Sequence, residues 1–355
     1  MLHFFVPTER SAHDILSCGT IAALKNAGVG CSLSDLWPRK LYLAMNNGRL
    51  PLGRSIFRTI IASFFASRSL AVCQKGDVAW ILSFCAPCRT KPRAENRLKM
   101  RGVNYVFHVM DDWFCFDWLR AGTINRCELA DLVVVPTPQL AHRVRHYCPK
   151  AVIEILEEPI DIHRLQPVSA PNPSPVPTVL WNGNPFNLDN IVSGSSALAK
   201  VSGQIHFKLR VICDIQPSHE LARHVDVEWI RFDHAREAEQ IAGSWFGIAP
   251  MPDTVHNRCK GAYKIKTYCA AGLPVVASPV GFQADLVREG DGIGFLPETP
   301  DEWEQVLMRL LQDRELCVAM GNKARSYAER RFSYPVVAPR WAEILRKHFG
   351  SSALC

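Results

Sequence analysis

The chain has 355 residues, 48% of them hydrophobic and 21% charged, which is ordinary for a globular protein and excludes a disordered chain, a coiled coil and a collagen-like fibre. It contains no uncharged apolar run of about 18 residues, so we expect no membrane-spanning helix. The net charge of +7 resides in the first 170 residues, and the segment 39–101 alone holds 13 basic and two acidic residues. This surplus favours an anionic partner: a nucleic acid, an acidic membrane surface or a phosphate-bearing substrate.

Short apolar runs alternate along the chain with segments of helical periodicity, which predicts parallel sheets covered by helices on both faces. The predicted strands span residues 4–7, 78–83, 103–109, 132–135, 152–155, 179–181, 207–212, 227–230, 247–250 and 274–277. The predicted helices span residues 12–26, 54–69, 138–147, 260–271, 300–312 and 314–330. Five of the thirteen residues 165–177 are prolines, so this segment predicts an extended linker between two α/β domains of similar size.

Residues 53–68 form a basic amphipathic segment. Apolar pairs at 56/57, 60/61 and 64/65 have helical spacing, and Arg54 and Arg58 lie on another face. Two interpretations are open: this helix lies at an anionic membrane surface, or its apolar face packs on the first sheet. Nucleic acid is disfavoured as a partner because the region has no recognisable nucleic-acid module and no interleaving of aromatic with basic residues.

The 13 cysteines are scattered and odd in number, which favours reduced thiols in the cytoplasm over a disulfide framework. One CxxC occurs, at Cys85 and Cys88, without a second pair at a zinc-like spacing, so we expect no metal site. The first 14 residues lack the basic flank and apolar core of a signal peptide. The expected location is the cytoplasm, with peripheral association at the inner face of the cell membrane if the basic segment binds lipid.

The most informative segment is residues 247–334. It begins with a predicted strand, a loop and a helix that Gly272 can end in the left-handed conformation. Lys260 and Lys264 are four residues apart, so we expect both ammonium groups on one face near the helix start. Such lysines, together with helix N-terminal N–H groups, make a suitable cradle for a diphosphate. The alternative is a solvated basic helix.

An ordered set of motifs in this segment resembles the C-terminal domain of retaining family-four glycosyltransferases of the GT-B fold. In chain order, the motifs are AAGLPVVAS at 270–278, Gly281, VREGDGIG at 287–294, Trp303, LLQD at 310–313, MGNKAR at 320–325 and Phe332. Weaker similarities lie at 109–113, 130–137 and 181–184. The resemblance covers most of residues 75–345.

The resemblance implies two Rossmann-like, doubly wound parallel-sheet domains facing a cleft. These are a basic acceptor-binding domain at 1–168 and a nucleotide-sugar-binding domain at 169–333, with a C-terminal helix in 334–355 that crosses back to the N-terminal domain. The implied enzyme moves a sugar from a nucleotide-diphosphate sugar to a glycan or lipid-linked acceptor, with retention and without metal or other cofactor. The alternative is a catalytically inactive relative that binds a sugar nucleotide or glycan. A dinucleotide oxidoreductase is disfavoured because no GxGxxG follows the first strand.

The implied donor site depends on cationic side chains. Without a metal, the diphosphate leaving group needs positive charge from the protein, and the resemblance assigns this role to Lys264 and secondarily to Lys260. Gly183 and Asn184 would approach the phosphates from the other side, where a missing side chain permits close contact.

Other donor-site candidates follow from the same resemblance. Backbone N–H groups of Gly281 and Phe282 would face the phosphates, and Asn257 belongs to an Asn-x-Cys-Lys-x-x-x-Lys pattern found in some branches. The family often has two glutamates before its AAG motif, and here Cys259 and Thr267 occupy those positions. Because the second glutamate commonly holds the nucleotide ribose, Thr267 is the donor-site candidate that departs from the family pattern.

On the acceptor side, three candidate catalytic residues lie at or just after the predicted strand 103–109. They are His108, Asp111 and Asp112. A carboxylate or imidazole at the carboxyl end of a strand can hydrogen-bond an acceptor or sugar hydroxyl. The alternatives are a helix N-cap for Asp112 and a core histidine for His108.

Overall fold

The computed structural model describes residues 1–6, 18–38, 40, 55–82, 91–167 and 176–351. The chain divides into two units. The first unit comprises Met1–Pro159, Cys259–Gly261 and Tyr334–Cys355, and the second unit comprises Ile160–Arg258 and Ala262–Ser333. Within the described ranges, no helix is both long enough and apolar enough to cross a lipid bilayer.

Among the described residues, each unit contains a sheet of six parallel strands. The strands of the first unit are β1 (Leu2–Val6), β2 (Cys31–Asp35), β3 (Val78–Leu82), β4 (Asn104–His108), β5 (Leu132–Val135) and β6 (Ile153–Ile155). The strands of the second unit are β7 (Thr178–Asn182), β8 (Lys208–Ile212), β9 (Asp226–Ile230), β10 (Phe246–Ala249), β11 (Val275–Ala277) and β12 (Gly294–Phe295). The orders are β2-β1-β3-β4-β5-β6 and β12-β11-β10-β7-β8-β9, so both sheets are doubly wound, which confirms the predicted fold class.

The described helices flank these sheets. In chain order, they are α1 (Cys18–Asn26), α2 (Ser55–Ser69), α3 (Arg93–Met100), α4 (Asp117–Leu129), α5 (Pro138–Tyr147), α6 (Asp189–Ser202), α7 (His219–Ala222), α8 (Glu237–Ile241), α9 (Val255–Arg258), α10 (Tyr263–Ala270), α11 (Gly281–Glu289), α12 (Pro300–Gln312), α13 (Arg314–Phe332) and α14 (Tyr334–Phe349). Single 3-10 turns follow β4 at Trp113–Cys115 and β7 at Pro185–Asn187.

The central strands are continuous apolar runs because helices cover both of their faces. β1 reads LHFFV and all five of its side chains are buried, as are those of β3, β5 and β7. The ten predicted strands agree with observed ones to within two residues at each end. The prediction missed two edge strands, β2 and β12. β2 reads CSLSD, alternates with serines and has no apolar run, and β12 has only two residues.

Capping residues explain why two helices begin where the sequence predicts. Thr137 Oγ1 accepts the Leu140 N–H at 3.2 Å and Pro138 opens α5, since proline lacks the N–H that would stay unpaired there. Thr299 and Glu302 form a reciprocal capping box at the start of α12. Other helices were missed: α3 and α4 in the first unit and α6, α7, α8, α9 and α11 in the second.

Some predictions concern residues outside the described ranges. These are residues 168–175 of the predicted linker, Cys85 and Cys88 of the CxxC pair, residues 12–17 of the first predicted helix, and Arg54. The described part of that first helix, α1, ends at Asn26 as predicted.

The C-terminal helix α14 packs on the sheet of the first unit. The indole of Trp341 stacks on that of Trp80 in β3, with 5.2 Å between ring centroids, and its Nε1 donates to the Glu157 carbonyl oxygen at 3.1 Å. Lys347 Nζ lies 2.9 Å from Oε1 of Glu154, which is the central residue of β6. The last segment of the chain therefore completes the core of the first unit.

Candidate active site

The sheet of the second unit reverses its winding between β7 and β10. From β7 the chain proceeds outward to β8 and β9, then returns to place β10 on the other side of β7. In doubly wound sheets, ligands bind at the carboxyl ends of the strands at such a reversal. Here those ends are Asn182 and Ala249, so the residues just after β7 and β10 form the expected ligand edge.

Lys264 lies at this edge, beside the glycine that follows β7. A Cβ built on Gly183 would lie 3.0 Å from Lys264 Nζ and 2.9 Å from the Trp181 ring, so only glycine fits here without displacement. The Lys264 ammonium lies 5.0 Å from the centroid of the Trp181 ring, a cation–π distance. The structure thus brings together two of the predicted donor residues, Gly183 and Lys264.

Tyr268 fixes the helix that carries Lys264. Its ring lies against β10 at Gly247, where an added Cβ would be only 2.4 Å away. The Asn182 N–H donates to the Tyr268 hydroxyl at 3.2 Å, and that hydroxyl donates to the Ile248 carbonyl oxygen at 3.1 Å. Burial raises the pKa of the Tyr268 phenol, so it stays a neutral donor. Helix α10 is therefore bonded to the ends of both β7 and β10.

A buried polar network lies under the same edge. Glu237 of α8 forms an ion pair with Arg164, and its second carboxylate oxygen accepts from Asn182 Nδ2 at 3.4 Å. Two buried oxygens of the second unit have no hydrogen-bond partner in the described structure: Asn182 Oδ1 and Thr267 Oγ1. Thr267 is enclosed within α10, so the residue that replaces the family glutamate has no exposed surface.

The start of α11 requires a glycine. Gly281 has a φ of +53°, and a Cβ there would lie 2.4 Å from the Arg258 carbonyl oxygen. Phe282 is buried in the core of the second unit, which leaves only its backbone N–H for an anion. Gln283 Nε2 donates to the carbonyl oxygens of Ala249 and Ser278, which ties α11 to the ends of β10 and β11.

Two predicted donor residues stabilise loops. Asn184 Oδ1 accepts the Phe186 N–H at 2.8 Å and caps the 3-10 turn after β7. Asn257 is buried in α9, and its Nδ2 donates to the Pro252 carbonyl oxygen at 2.9 Å. Direct contact of either residue with a donor stays a prediction.

The expectation that Lys260 and Lys264 share one helix face is wrong. α10 begins at Tyr263, and Ala262 before it has a left-handed φ of +54°, which interrupts any helix running from Lys260. Lys260 belongs to the segment Cys259–Gly261 of the first unit, where burial lowers its pKa and the charge of Asp111 opposes that effect. Of the two lysines, only Lys264 lies on the helix.

The acceptor-side candidates occupy different environments within the first unit. Asp112 is fully buried: its carboxylate accepts from Arg143 Nε at 2.8 Å, from Cys115 Sγ at 3.0 Å and from the Phe114 N–H at 3.1 Å. These bonds match the N-cap alternative, because the last of them caps the Trp113–Cys115 turn. Asp111 is half-buried.

His108 lies in the core of the first unit between two indoles. Trp80 Nε1 donates to His108 Nδ1 at 3.4 Å, and the imidazole meets the Trp341 ring edge-on. Burial lowers the pKa of His108 to about 3, so the ring is neutral at physiological pH. This environment favours the core-histidine alternative over a catalytic role.

Sequence reasoning missed three residues that shape the expected ligand edge: Trp181, Tyr268 and Glu237. The apolar character of β7 indicated that Trp181 would be buried, but not that its face would meet a lysine. A small residue, Gly247, inside a buried strand was the available signal for Tyr268, since glycine in a strand marks a close approach. Nothing in the sequence placed Glu237 beside Asn182.

Comparison with known proteins gives one family match and many structural ones. The family model for glycosyl transferases group 1 matches residues 267–327. Sucrose-phosphate synthase from Thermosynechococcus elongatus is similar, with a TM-score of 0.72 and 14% identity, over 99% of this chain and 100% of that one. Anabaena Alr3699/HepE in complex with UDP is similar with a TM-score of 0.61 and 15% identity, over 98% and 99% of the two chains.

WaaG, a glycosyltransferase involved in lipopolysaccharide biosynthesis, is similar with a TM-score of 0.63 and 13% identity, over 97% of this chain and 99% of that one. A comparison with curated protein sequences finds no match. The structural likeness establishes the GT-B fold, and the family match lies in the second unit, inside the segment whose motifs carried the resemblance. The expectation of a glycosyltransferase with the GT-B fold is confirmed.

Proposed function

We propose that this enzyme transfers a sugar from a nucleotide-diphosphate sugar, bound by the second unit, to a glycan or lipid-linked acceptor, bound by the first unit. Transfer proceeds with retention, and lysine charge takes the place of a metal ion. The observation that carries the proposal is the position of Lys264, whose ammonium lies beside Gly183 at the winding reversal of the second sheet.

The reaction requires positive charge at the place where the leaving group forms. As the bond between the sugar and the diphosphate breaks, negative charge develops on the departing phosphate oxygen, and a fixed cation in a partly dry site stabilises it. Gly183 leaves room for phosphate oxygens to approach the backbone, because any larger residue would contact Lys264. The N–H groups at the start of α11 supply further donors for the diphosphate.

Two similar proteins support the choice of substrates. HepE was solved with UDP, and WaaG takes part in lipopolysaccharide biosynthesis. A uridine nucleotide and a lipid-linked glycan are therefore the first donor and acceptor classes to test, and the family resemblance supports retention.

The second candidate is an inactive relative that binds a sugar nucleotide or glycan. It is favoured by Cys259 and Thr267, which stand where the family often has two glutamates, and by the full burial of Thr267. Detection of transfer or hydrolysis with any nucleotide-sugar would exclude this candidate.

The deciding experiment is a thermal-shift measurement with UDP, GDP, CDP, dTDP and ADP. A ligand present at 100 times its dissociation constant adds about 2.7 kcal/mol to the free energy of unfolding, which is readily detected. We expect one nucleotide to stabilise the wild-type protein and the Lys323→Ala control, whose lysine is exposed in the second unit. The same nucleotide should not stabilise Lys264→Ala. If none of the five stabilises the wild type, the donor assignment fails.

An anionic membrane surface is a further proposed partner, and it places the protein in the cytoplasm at the inner face of the cell membrane. The support is the charge of residues 39–101, which include 13 basic residues and only two acidic ones. Flotation with anionic and neutral vesicles tests the partner, and absence from both would exclude it.

A further inference from the structure

Large apolar side chains protrude from one surface of the first unit. Ile60 and Phe64 on α2 are each 60% exposed, and Met100 at the end of α3 is 86% exposed. Val72, in the 3-10 turn Leu70–Val72 after α2, is 56% exposed. Ile60 and Phe64 are four residues apart and therefore project from the same side of the helix. Single exposed apolar residues are ordinary, but a group of four on adjoining elements marks an interaction site.

Hydrogen bonds show that α2, the turn and α3 adjoin. Arg97 Nη1 on α3 donates to Ser67 Oγ on α2 at 3.3 Å, within one helical turn of Phe64. Arg101 Nη1, immediately after Met100, donates to the Leu70 carbonyl oxygen at 3.2 Å. The exposed apolar residues and the basic residues around them form what we call the docking face: Ile60, Phe64, Arg68, Val72, Lys75, Arg93, Arg97, Met100 and Arg101.

Residues 39–101 include only two acidic residues, Asp77 and Glu95. Neither of them offsets the positive charge of the docking face. Glu95 is buried, and its Oε1 accepts from Arg126 Nε at 2.7 Å in the core. Asp77 accepts from the N-terminal ammonium of Met1 at 3.0 Å and from His3 at 3.2 Å. Both carboxylates are therefore neutralised inside the first unit, and the exposed arginines and lysines set the sign of the surface.

We propose that the docking face binds an anionic lipid surface, with its four apolar side chains in the interfacial region and its basic side chains at the lipid phosphates. The combination selects lipid over nucleic acid, because a nucleic-acid backbone attracts the cations but offers no apolar phase for protruding Phe64 and Met100. The inference rests on one part of the proposed function, namely that a membrane is a partner of this protein. It does not depend on the sugar-transfer chemistry.

The test is flotation of the full-length protein with vesicles of phosphatidylcholine alone or with about 30% phosphatidylglycerol. We expect binding to the anionic vesicles only. Two charge reversals, Arg68→Glu with Lys75→Glu, should lower the partition coefficient by at least about thirtyfold, since each basic residue near an anionic surface contributes about a fivefold factor. Phe64→Ser with Met100→Ser should lower it by about tenfold, because less apolar surface enters the interface.

Matched controls come from α13 in the second unit. Val318→Ser removes an exposed apolar side chain and Arg330→Glu reverses an exposed charge, and both should bind vesicles like the wild type. Every variant is checked for an unchanged melting temperature and for the nucleotide-induced thermal shift. A variant that keeps that shift and loses vesicle binding separates the docking face from the donor site.

Three results would overturn the proposal. Equal binding to neutral and anionic vesicles contradicts the charge argument, and unchanged binding of either double variant contradicts the assignment of the face. If single-stranded RNA binds the wild type and the Phe64→Ser, Met100→Ser variant equally well, and anionic vesicles bind no better, the surface is a nucleic-acid site.

Discussion

In the second unit, the ammonium of Lys264 rests against an indole and a glycine at the end of β7, whereas in the first unit the carboxylate of Asp112 is enclosed by an arginine, a thiol and a backbone N–H. The indole face and the glycine fix the position of the cation. Arg143, by contrast, neutralises Asp112. Asp112 follows the end of β4, and Lys264 lies beside the end of β7. The two charged residues therefore differ in the groups that surround them and not in their place relative to a strand. The contacts of Asp112 make it part of the fold, whereas the position of Lys264 agrees with the donor-site role proposed for it.

The largest effect is expected for Lys264→Ala. Removing a charge that stabilises the leaving group should lower kcat by roughly 100- to 1,000-fold, or about 3–4 kcal/mol, with little change in folding stability. Transfer from the preferred nucleotide-sugar measures the rate, and thermal unfolding measures stability. Lys323→Ala is the control. A Lys264→Ala enzyme with wild-type kcat would remove the distinction between the two units.

The second-largest effect is expected for the pH dependence of the free energy of unfolding, to which His108 contributes. Its pKa is lowered from 6.5 to about 3 by burial, so as pH falls the unfolded chain takes up the proton before the folded one. The contribution of His108 to the free energy of unfolding is therefore complete above pH 6.5 and is lost toward pH 3, by about 2.5 kcal/mol between about pH 6 and pH 4.

The measurement is urea unfolding of wild type and His108→Gln across this pH range. The difference in stability between the two proteins should shift in favour of the variant as pH falls, and kcat of the variant should stay within a few-fold of wild type. A parallel pH dependence contradicts the neutral core histidine, and a large loss of kcat with stability intact would restore its catalytic role.

Asp112→Asn should destabilise the first unit by about 2 kcal/mol, because it leaves the Arg143 guanidinium beside a neutral amide in a buried setting. Asp117→Asn is the matched control: this carboxylate is exposed and pairs with Arg120 three residues away, so its loss should cost under about 0.5 kcal/mol. Chemical denaturation of both variants makes the comparison. Equal stabilities would show that the enclosure of Asp112 has no structural role.

The smallest effect is expected for Trp181→Leu. Loss of the indole face under Lys264 removes a cation–π interaction of about 1 kcal/mol and should weaken nucleotide binding by about fivefold. Trp303→Leu removes another buried indole of the second unit away from Lys264, and it should lower stability without changing nucleotide affinity. Isothermal titration with the stabilising nucleotide distinguishes the two. Equal losses of affinity would mean that Trp181 acts only through general packing.

Much of the fold could be predicted because its causes are local. Continuous apolar runs indicated the strands, and caps such as Thr137 and Thr299 set helix starts through bonds that span three residues. The edge strand β2 and the helix α3 were missed because their local sequence signals are weak. An edge strand with serines and a short charged helix leave weak periodic signals, although tertiary contacts stabilise both.

The sequence by itself determined the two doubly wound sheets and the group 1 segment of the second unit, and it is the source of the proposal that Lys264 is the leading donor-site cation. Only the tertiary structure decided that Lys260 leaves the helix, that Trp181 and Tyr268 hold Lys264 and its helix at the strand ends, and that Asp112 is neutralised. The contacts responsible join residues far apart in sequence: 31 positions separate Asp112 from Arg143, and 86 separate Asn182 from Tyr268. Periodicity reports burial, but the charge state and position of a side chain depend on which distant groups folding brings to it.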